Sequence, residues 1–166
     1  AASCADSGVE ELVPLLDSAT NTMNRIVHRL RPPILDIKGF PEAARWLVDH
    51  LAVRSGLESR IAIDEDIGAV PQDVSTCLFA VLREALSNVI RHSHADSVTV
   101  TFAVEIHHWI LTVTDDGAGF DQSRIAVENG VGMIDIRERI NVLDGRVRWT
   151  SAPGDGTTLA VLIPFR

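Results

Sequence analysis

Three polar side chains on one predicted helix have the types and spacing to bind a metal ion and a phosphate. Glu84, Asn88 and Arg91 follow one another at intervals of four and three residues, so they lie within roughly 60° of each other around the helix. An amide oxygen is a hard ligand for Mg²⁺, a guanidinium pairs with phosphate, and a nearby carboxylate orients a metal-bound water or accepts a proton. The same row could equally be a solvated helix face with an i,i+4 pair. His92 lies closer to the apolar stripe, which favours packing against the core.

A pair of aspartates followed by two glycines, DDGAGF at residues 115–120, is the second candidate. The apolar residues of the preceding predicted strand, 107–116, alternate, and Asp115 continues the phase of the buried face. A carboxylate near a core needs a donor, which is either the exocyclic amine of a purine or a backbone amide of the turn. Gly117 and Gly119 would let the chain pass a flat ligand without a Cβ in the way, although many ordinary turns share this pattern.

Two further glycine segments follow along the chain. Gly130 and Gly132, in NGVGMIDIRERI, open a predicted helix, and the free amides at a helix N-terminus attract anions. A flexible entry to the helix would use the same glycines. The segment PGDGTT, residues 153–158, is either a hairpin turn alone or a wall of the same pocket.

The helices and strands that must position these residues predict an α/β (α+β) fold. Hairpin-sized connections favour a two-layer sandwich, in which helices cover one face of a mixed or antiparallel sheet. Asp73 is a candidate N-cap and Gly145 a candidate C-cap. Alternating segments predict strands at 58–64, 97–106, 107–116, 146–152 and 157–165, and helical periodicity predicts helices at 12–30, after Gly39 and Pro41, at 74–92 and at 131–144.

Composition and charge narrow the classes of function. A formal net charge of −8 argues against a nonspecific nucleic-acid binder, but not against a nucleotide whose phosphates are held by backbone amides and a metal. Cys4 and Cys77 make no disulfide framework, and Cys77 is expected to be a small buried hydrophobe. No apolar run is long enough for a membrane helix, and no signal-peptide core begins the sequence. We therefore expect a cytoplasmic piece, which could be the cytosolic part of a membrane-bound receptor.

In order along the chain, these segments resemble the motifs of the GHKL (Bergerat-fold) ATPases. Glu84 to His92 resembles the N box, DDGAGF the first glycine box, NGVGM the second, and GDGTT the closing Gly-x-Gly-Thr segment. REALSNVIRHSHA, GMIDIRERINVLDGRV and the very short lid between Phe120 and Gly130 are similar to the nitrate-sensor-like branch of sensor histidine kinases. LRPPILDIKGF, residues 30–40, is similar to the segment that joins the dimerisation helices to the ATP-binding domain in that branch.

The resemblance implies an ATP-binding catalytic domain, which transfers the γ-phosphoryl group of ATP to a histidine for relay to an aspartate of a response regulator. It implies that Asp115 binds the adenine amino group, with Thr157 or Thr158 helping through water. Asn88 would ligate Mg²⁺ with Glu84 nearby, and these two are the implied catalytic residues. The implied ATP-binding set is Asn88, Arg91, His92, Asp115, Gly117, Gly119, Gly130, Val131, Gly132, Met133, Thr157 and Thr158.

The resemblance also implies a division of the chain. Residues 1–9 are expected to be a disordered end, 10–38 a partial dimerisation or phosphotransfer helix with a hinge, and 39–166 the ATP-binding catalytic domain. The heptad spacing over 12–30 favours a helix of an intermolecular bundle. The implied partners are a second copy of the full-length protein and a receiver domain, with no nucleic acid, and a membrane only through upstream regions. His28 does not match the phosphoacceptor motif, so the acceptor is expected outside this chain.

Two alternatives use the same fold. One is a nucleotide-gated regulatory binding module with negligible turnover, and the other is an anti-sigma-type kinase that phosphorylates serine. The predicted helix at 12–30 and the hinge at Arg31-Pro32-Pro33 favour the dimeric sensor kinase, since a free-standing serine kinase needs no such helix.

Overall fold

The computed structural model describes residues 33–121 and 131–165. The predicted helix at 12–30 therefore lies outside the described residues. Ile34–Arg166 forms one compact unit, so residues 34–38, which the resemblance places in the hinge, belong to the same unit as the sheet. Within the described part of the chain, no helix is both long and apolar enough to span a membrane.

Five strands form one mixed sheet. They are β1 (Glu58–Ile63), β2 (Ser97–Glu105), β3 (His108–Asp115), β4 (Arg146–Ser151) and β5 (Thr157–Pro164). Their order across the sheet is β1-β2-β3-β5-β4, with β1 parallel to β2 and the other neighbours antiparallel. The predicted α/β sandwich with a mixed sheet is confirmed, and the strand bounds agree with the predicted ones to within about one residue, because alternation marks strands directly.

The register puts the buried apolar residues of β2, β3 and β5 on one face of the sheet. Val100, Val113 and Leu159 lie side by side on β2, β3 and β5 and are at most 5% exposed. Thr99 and Thr114, one residue out of phase, are exposed on the other face. Because strand side chains alternate with a period of two, a sheet covered by helices on one side only produces this division.

Helix α1 (Pro33–Ser55) begins before its predicted start and is interrupted at Gly39. Gly39 has φ 78° and ψ −177°, a conformation open to glycine, and Pro41 has no backbone N–H to continue the helical hydrogen bonds. After the interruption, Phe40 is fully buried, and its ring packs edge-on against Phe102 of β2 with centroids 4.6 Å apart. The sequence predicted a helix only after Gly39 because the prolines and the glycine hide the short helical stretch before it.

Helix α2 (Gln72–Asn88) carries the apolar stripe predicted for 74–92, and a five-residue π-helical turn, Val89–Ser93, continues it. Cys77 is buried in the stripe as expected, and burial raises the pKa of its thiol to about 11. The π-helical turn is wider than an α-helical turn. It therefore shifts the direction of every side chain that follows Asn88, which matters for the candidate site.

The N-cap predicted at Asp73 is wrong, and the C-cap predicted at Gly145 has its left-handed residue one position earlier. Pro71 occupies the N-cap position of α2 with φ −54° and ψ 153°, and proline suits this extended position because its φ is fixed near that value. Helix α3 (Val131–Val142) closes with hydrogen bonds of the Schellman type, in which Asp144 is the left-handed residue with φ 54°. Gly145 is needed for space instead, because a Cβ there would lie 2.7 Å from a backbone oxygen of β5.

Candidate functional site

A cavity of about 570 Å³ opens between α2, α3 and the end of the sheet where β3 ends and β5 begins. Small-molecule sites usually measure about 300–1,000 Å³, so the cavity is large enough for a nucleotide. Val113 and Leu159 from the sheet, with Val89 and Ile136 from the helical side, supply an apolar floor that suits a flat ring. The other residues that line the cavity are Ala85, Asn88, His92, Ser93, Asp115, Gly119, Phe120, Gly132, Met133, Trp149 and Thr157.

Asp115 is the buried carboxylate of this cavity. It is 7% exposed, and its Oδ1 accepts a hydrogen bond from the backbone N–H of Gly117 at 2.9 Å. Burial raises the pKa of Asp115 above its ordinary value, and the backbone N–H groups of Gly117 and Thr157 counteract this only in part. A carboxylate held at the edge of an apolar floor gains from any further donor that a ligand brings. Its strand phase, read from the sequence, placed it correctly.

Asp116 is the next residue, but it has a different environment and a different task. Its carboxylate accepts hydrogen bonds from the backbone N–H groups of Asp96 at 3.0 Å and Ser97 at 2.9 Å, and from the Ser97 hydroxyl at 2.8 Å. These bonds, with Ser97 the largest contributor, lower the pKa of Asp116. Asp116 therefore ties the end of β3 to the start of β2, whereas Asp115 faces the cavity.

The glycines predicted to shape a pocket lie where two backbone segments pack directly against each other. A Cβ at Gly117 would collide with the carbonyl oxygen of Ser93, and one at Gly119 would collide with that of Ala152. A Cβ at Gly156 would collide with the carbonyl oxygen of Asp115. Three segments that are far apart in sequence therefore pack without side chains between them.

Hydrogen bonds join these segments as well. The backbone N–H of Ala118 donates to the Ser93 carbonyl at 2.7 Å, and the N–H of Gly154 donates to the Ala118 carbonyl at 2.7 Å. The DDGAGF turn thus lies between the end of the π-helical turn and the turn that joins β4 to β5. The segment 153–158 is more than a hairpin turn, because it forms a wall next to Asp115.

The N-box residues separate into two groups. Asn88, at the end of α2, and His92 line the cavity, and Arg91 does not. The expectation that His92 packs against the core is wrong, since its side chain is exposed. The cause is the π-helical turn at Val89–Ser93, which rotates His92 out of the α-helical phase that placed it near the apolar stripe.

Glu84 lies against the first turn of α3 and not on the cavity wall. A Cβ at Gly132 would collide with Glu84 Oε1 and would lie 3.0 Å from Cδ. The structure thus brings Glu84 to the second glycine of NGVGM, and Gly132 and Met133 line the cavity. Gly130 lies outside the described residues, and Val131 begins α3.

The two threonines proposed to assist Asp115 lie on opposite faces of β5. Thr157 is the register partner of Asp115 and lines the cavity. Thr158 is on the outer face, where its hydroxyl lies 3.1 Å from that of Thr114. The structure therefore brings Thr157 to the site and does not bring Thr158 there.

Four residues near the cavity escaped the sequence interpretation. Ser93, Phe120 and Trp149 line it, and Ser151 forms hydrogen bonds to Phe120 and to the turn before β5. The guanidinium of Arg137 lies over the Trp149 ring, 5.6 Å from its centroid, a cation–π contact. The alternation of β4 gave the signal for Trp149 and Ser151, which share the phase of the inner face.

Comparison with known proteins gives consistent matches. The sequence profile of the "Histidine kinase-, DNA gyrase B-, and HSP90-like ATPase" family matches residues 73–166. Sensor histidine kinase MctS of Rhizobium johnstonii is 32% identical over 166 residues, which cover 99% of this chain and 35% of that protein. Sensor histidine kinase LiaS of Bacillus subtilis is 32% identical over 147 residues, which cover 89% of this chain and 40% of that protein. This chain therefore spans two fifths or less of the length of these curated relatives.

A solved structure gives the same fold. The histidine kinase domain of a blue-light activated histidine kinase from Erythrobacter litoralis superposes with a TM-score of 0.63. The match covers 74% of this chain and 61% of that chain, at 20% sequence identity. At this identity the similarity establishes the fold around the cavity alone, and the chemistry of the site has to be argued from the residues described above.

Proposed function

Since the chain belongs to the family of histidine kinase-, DNA gyrase B-, and HSP90-like ATPases, as its motifs predicted, we propose that it is the ATP-binding catalytic domain of a sensor histidine kinase. Its similar relatives carry the name sensor histidine kinase. The proposed reaction is transfer of the γ-phosphoryl group of ATP to a histidine nitrogen on another segment, followed by relay to an aspartate of a receiver domain.

The observation that carries this proposal is the position of Asp115. Its carboxylate is buried at the edge of the apolar floor, where the exocyclic amine of an adenine lying on that floor can donate to it. Gly119 lines the cavity beside it, so backbone forms the cavity wall at this point. Thr157, its register partner, supplies a second polar group at the same edge.

The triphosphate end of the ligand is proposed to lie toward α3. Gly132 lines the cavity at the first turn of this helix, and backbone N–H groups at a helix N-terminus favour phosphate. Positioning and charge neutralisation supply most of the catalysis in phosphoryl transfer. The residues of this chain would therefore act by holding ATP in place while the acceptor histidine approaches.

Asn88 and Glu84 fit a magnesium site by their chemistry. The Asn88 amide, a hard oxygen ligand, lines the cavity, and the Glu84 carboxylate lies at the start of α3. Bound Mg²⁺ would neutralise charge on the phosphate oxygens. We propose that Asn88 ligates the ion directly and that Glu84 holds a water of its shell or accepts a proton.

The proposal extends to the whole protein. We propose that the heptad segment 12–30 belongs to a dimerisation helix, that the protein acts as a homodimer in the cytoplasm, and that a receiver domain takes the phosphoryl group. The names of the relatives favour this over a serine kinase or a binding module without turnover.

A transfer assay tests the proposed function. The chain is mixed with ATP labelled at the γ-phosphate, Mg²⁺ and a separate dimerisation helix that bears the phosphoacceptor histidine. We expect label on the helix that is stable in base and labile in acid, and its loss with an Asn88→Ala chain. Acid-stable label would indicate a serine kinase. ATP binding with no label on any acceptor would indicate a regulatory binding module.

A further inference from the structure

The hydroxyl of Ser151 lies where three walls of the cavity meet. It accepts a hydrogen bond from the backbone N–H of Phe120 at 2.9 Å and donates one to the carbonyl oxygen of Gly156 at 2.8 Å. It also lies 3.1 Å from the hydroxyl of Thr157. Phe120 and Thr157 line the cavity and Ser151 does not, so Ser151 can act on a ligand only through its partners.

The three contacts of this hydroxyl fix where its proton goes. A serine hydroxyl has one proton to donate and two lone pairs to accept with. The carbonyl of Gly156 cannot donate, so it takes the serine proton, and the N–H of Phe120 cannot accept, so it uses one lone pair. The remaining lone pair faces Thr157, which must donate its own hydroxyl proton to Ser151.

This assignment gives Thr157 a fixed polarity toward the cavity. Its single proton points away to Ser151, so the oxygen offers only lone pairs to a ligand or to a water. Asp115, its register partner, is also an acceptor in its ionised form. Both polar groups at this edge of the cavity therefore accept, and they complement a ligand edge that donates.

We propose that Ser151 is a positioning residue that sets the purine specificity of the site. It holds the Thr157 hydroxyl as an acceptor and thereby selects the 6-amino group of adenine over the 6-oxo group of hypoxanthine or guanine. The 6-amino group carries two protons, one for the Asp115 carboxylate and one for the Thr157 oxygen. A 6-oxo group would meet lone pairs on both sides, and an unmatched buried acceptor is costly. This inference rests on the proposed function, because it concerns the same site.

Calorimetric titration with ATP and with inosine triphosphate, each with Mg²⁺, tests the inference. The measured quantity is the ratio of the two affinities. We expect Ser151→Ala to reduce the preference for ATP by about three- to tenfold, and Ser151→Thr, which keeps the hydroxyl, to restore it. Ser151→Val has the shape of the threonine variant without the hydroxyl, so it should behave like Ser151→Ala. Thr150→Val, one residue away on the outer face of β4, is the matched control and should leave the ratio unchanged.

A specificity ratio separates this role from a merely structural one, since loosening of the fold weakens both nucleotides together. Thr157→Val should lower the ratio by itself, and adding Ser151→Ala to it should change the ratio no further. An unaltered ratio in Ser151→Ala, with ATP still bound, would overturn the inference and leave the proposed function in place. A wild-type chain that binds both nucleotides equally would also overturn the inference, and one that binds neither would overturn the proposed function itself.

Discussion

Replacing Asp115 by asparagine removes the charge of the buried carboxylate at the edge of the cavity and keeps the shape of the side chain. One carboxylate oxygen already accepts a hydrogen bond from the Gly117 N–H at 2.9 Å, so we expect the purine amine to bind the other. An asparagine has a single oxygen, and its NH₂ then faces either the Gly117 N–H or the purine amine, two donors in either case. We therefore expect Asp115→Asn to bind ATP more weakly than the wild type.

The size of the loss follows from the kind of bond that is removed. A hydrogen bond to a charged group contributes about 1.5–3 kcal/mol, and every 1.4 kcal/mol is about tenfold in affinity. We expect ATP to bind about 10- to 150-fold more weakly in calorimetry. Inosine triphosphate lacks the amine and binds the wild type more weakly, so Asp115→Asn should change its affinity much less than that of ATP. The same ATP affinity in the wild type and in Asp115→Asn would refute the assignment of this carboxylate.

The pH dependence gives a second reading of the same residue. Burial raises the pKa of Asp115, so the wild type should lose ATP affinity as the pH falls through a value above the ordinary aspartate pKa, and Asp115→Asn should show no such loss.

The folding stability of the wild type should change with pH in the opposite direction to its ATP affinity. A raised folded pKa favours folding at low pH, and this contribution is lost as the pH rises through the folded pKa. The asparagine variant should therefore gain stability relative to the wild type over that interval.

Asp116→Asn is the matched control because it alters the neighbouring carboxylate outside the cavity. Its pKa is lowered, chiefly by hydrogen bonds from Ser97, so its contribution to stability is present above the unfolded pKa and is lost as the pH falls through the folded pKa. Asp116→Asn should lower the melting temperature at neutral pH and leave the ratio of ATP to inosine triphosphate affinities unchanged. Loss of purine discrimination in this variant would show that the two aspartates were assigned to the wrong roles.

Three other predictions test separate parts of the site. Asn88→Ala should abolish Mg²⁺-dependent phosphotransfer with the circular dichroism spectrum unchanged, and wild-type turnover would remove its metal role. Gly119→Ala should destabilise the fold by about 2–5 kcal/mol in denaturant titration, since it combines a left-handed backbone with a collision against a carbonyl. Gly56 is also at positive φ but has no atom within 4 Å of an added Cβ. The control Gly56→Ala should therefore lower the free energy of unfolding by only about 1–2 kcal/mol. Gly132→Ala improves helix propensity by about 1 kcal/mol but displaces the Glu84 carboxylate. The rate of phosphotransfer should therefore fall without loss of stability. In a Glu84→Ala background, Gly132→Ala should have little further effect on that rate.

Much of the architecture was readable from local patterns. The strand bounds and the inner face followed from alternation, because a strand half-covered by helices buries every second side chain. The same phase placed Asp115 at the edge of the buried face, and it also distinguishes Thr157 from Thr158. The order of the motifs along the chain predicted the family, because few folds need an N box followed by two glycine boxes in that order.

The sequence determined the strands, the apolar stripe of α2 and the types of residue that surround the cavity, since each depends on neighbours a few positions away. Only the tertiary structure decided which of those residues share a wall. The π-helical turn exposed His92, and close packing of backbones explained why Gly117 and Gly119 must lack a side chain. Ser151 acquired its role from an amide 31 residues away. Contacts of this kind depend on how distant segments meet, and no local pattern carries that information.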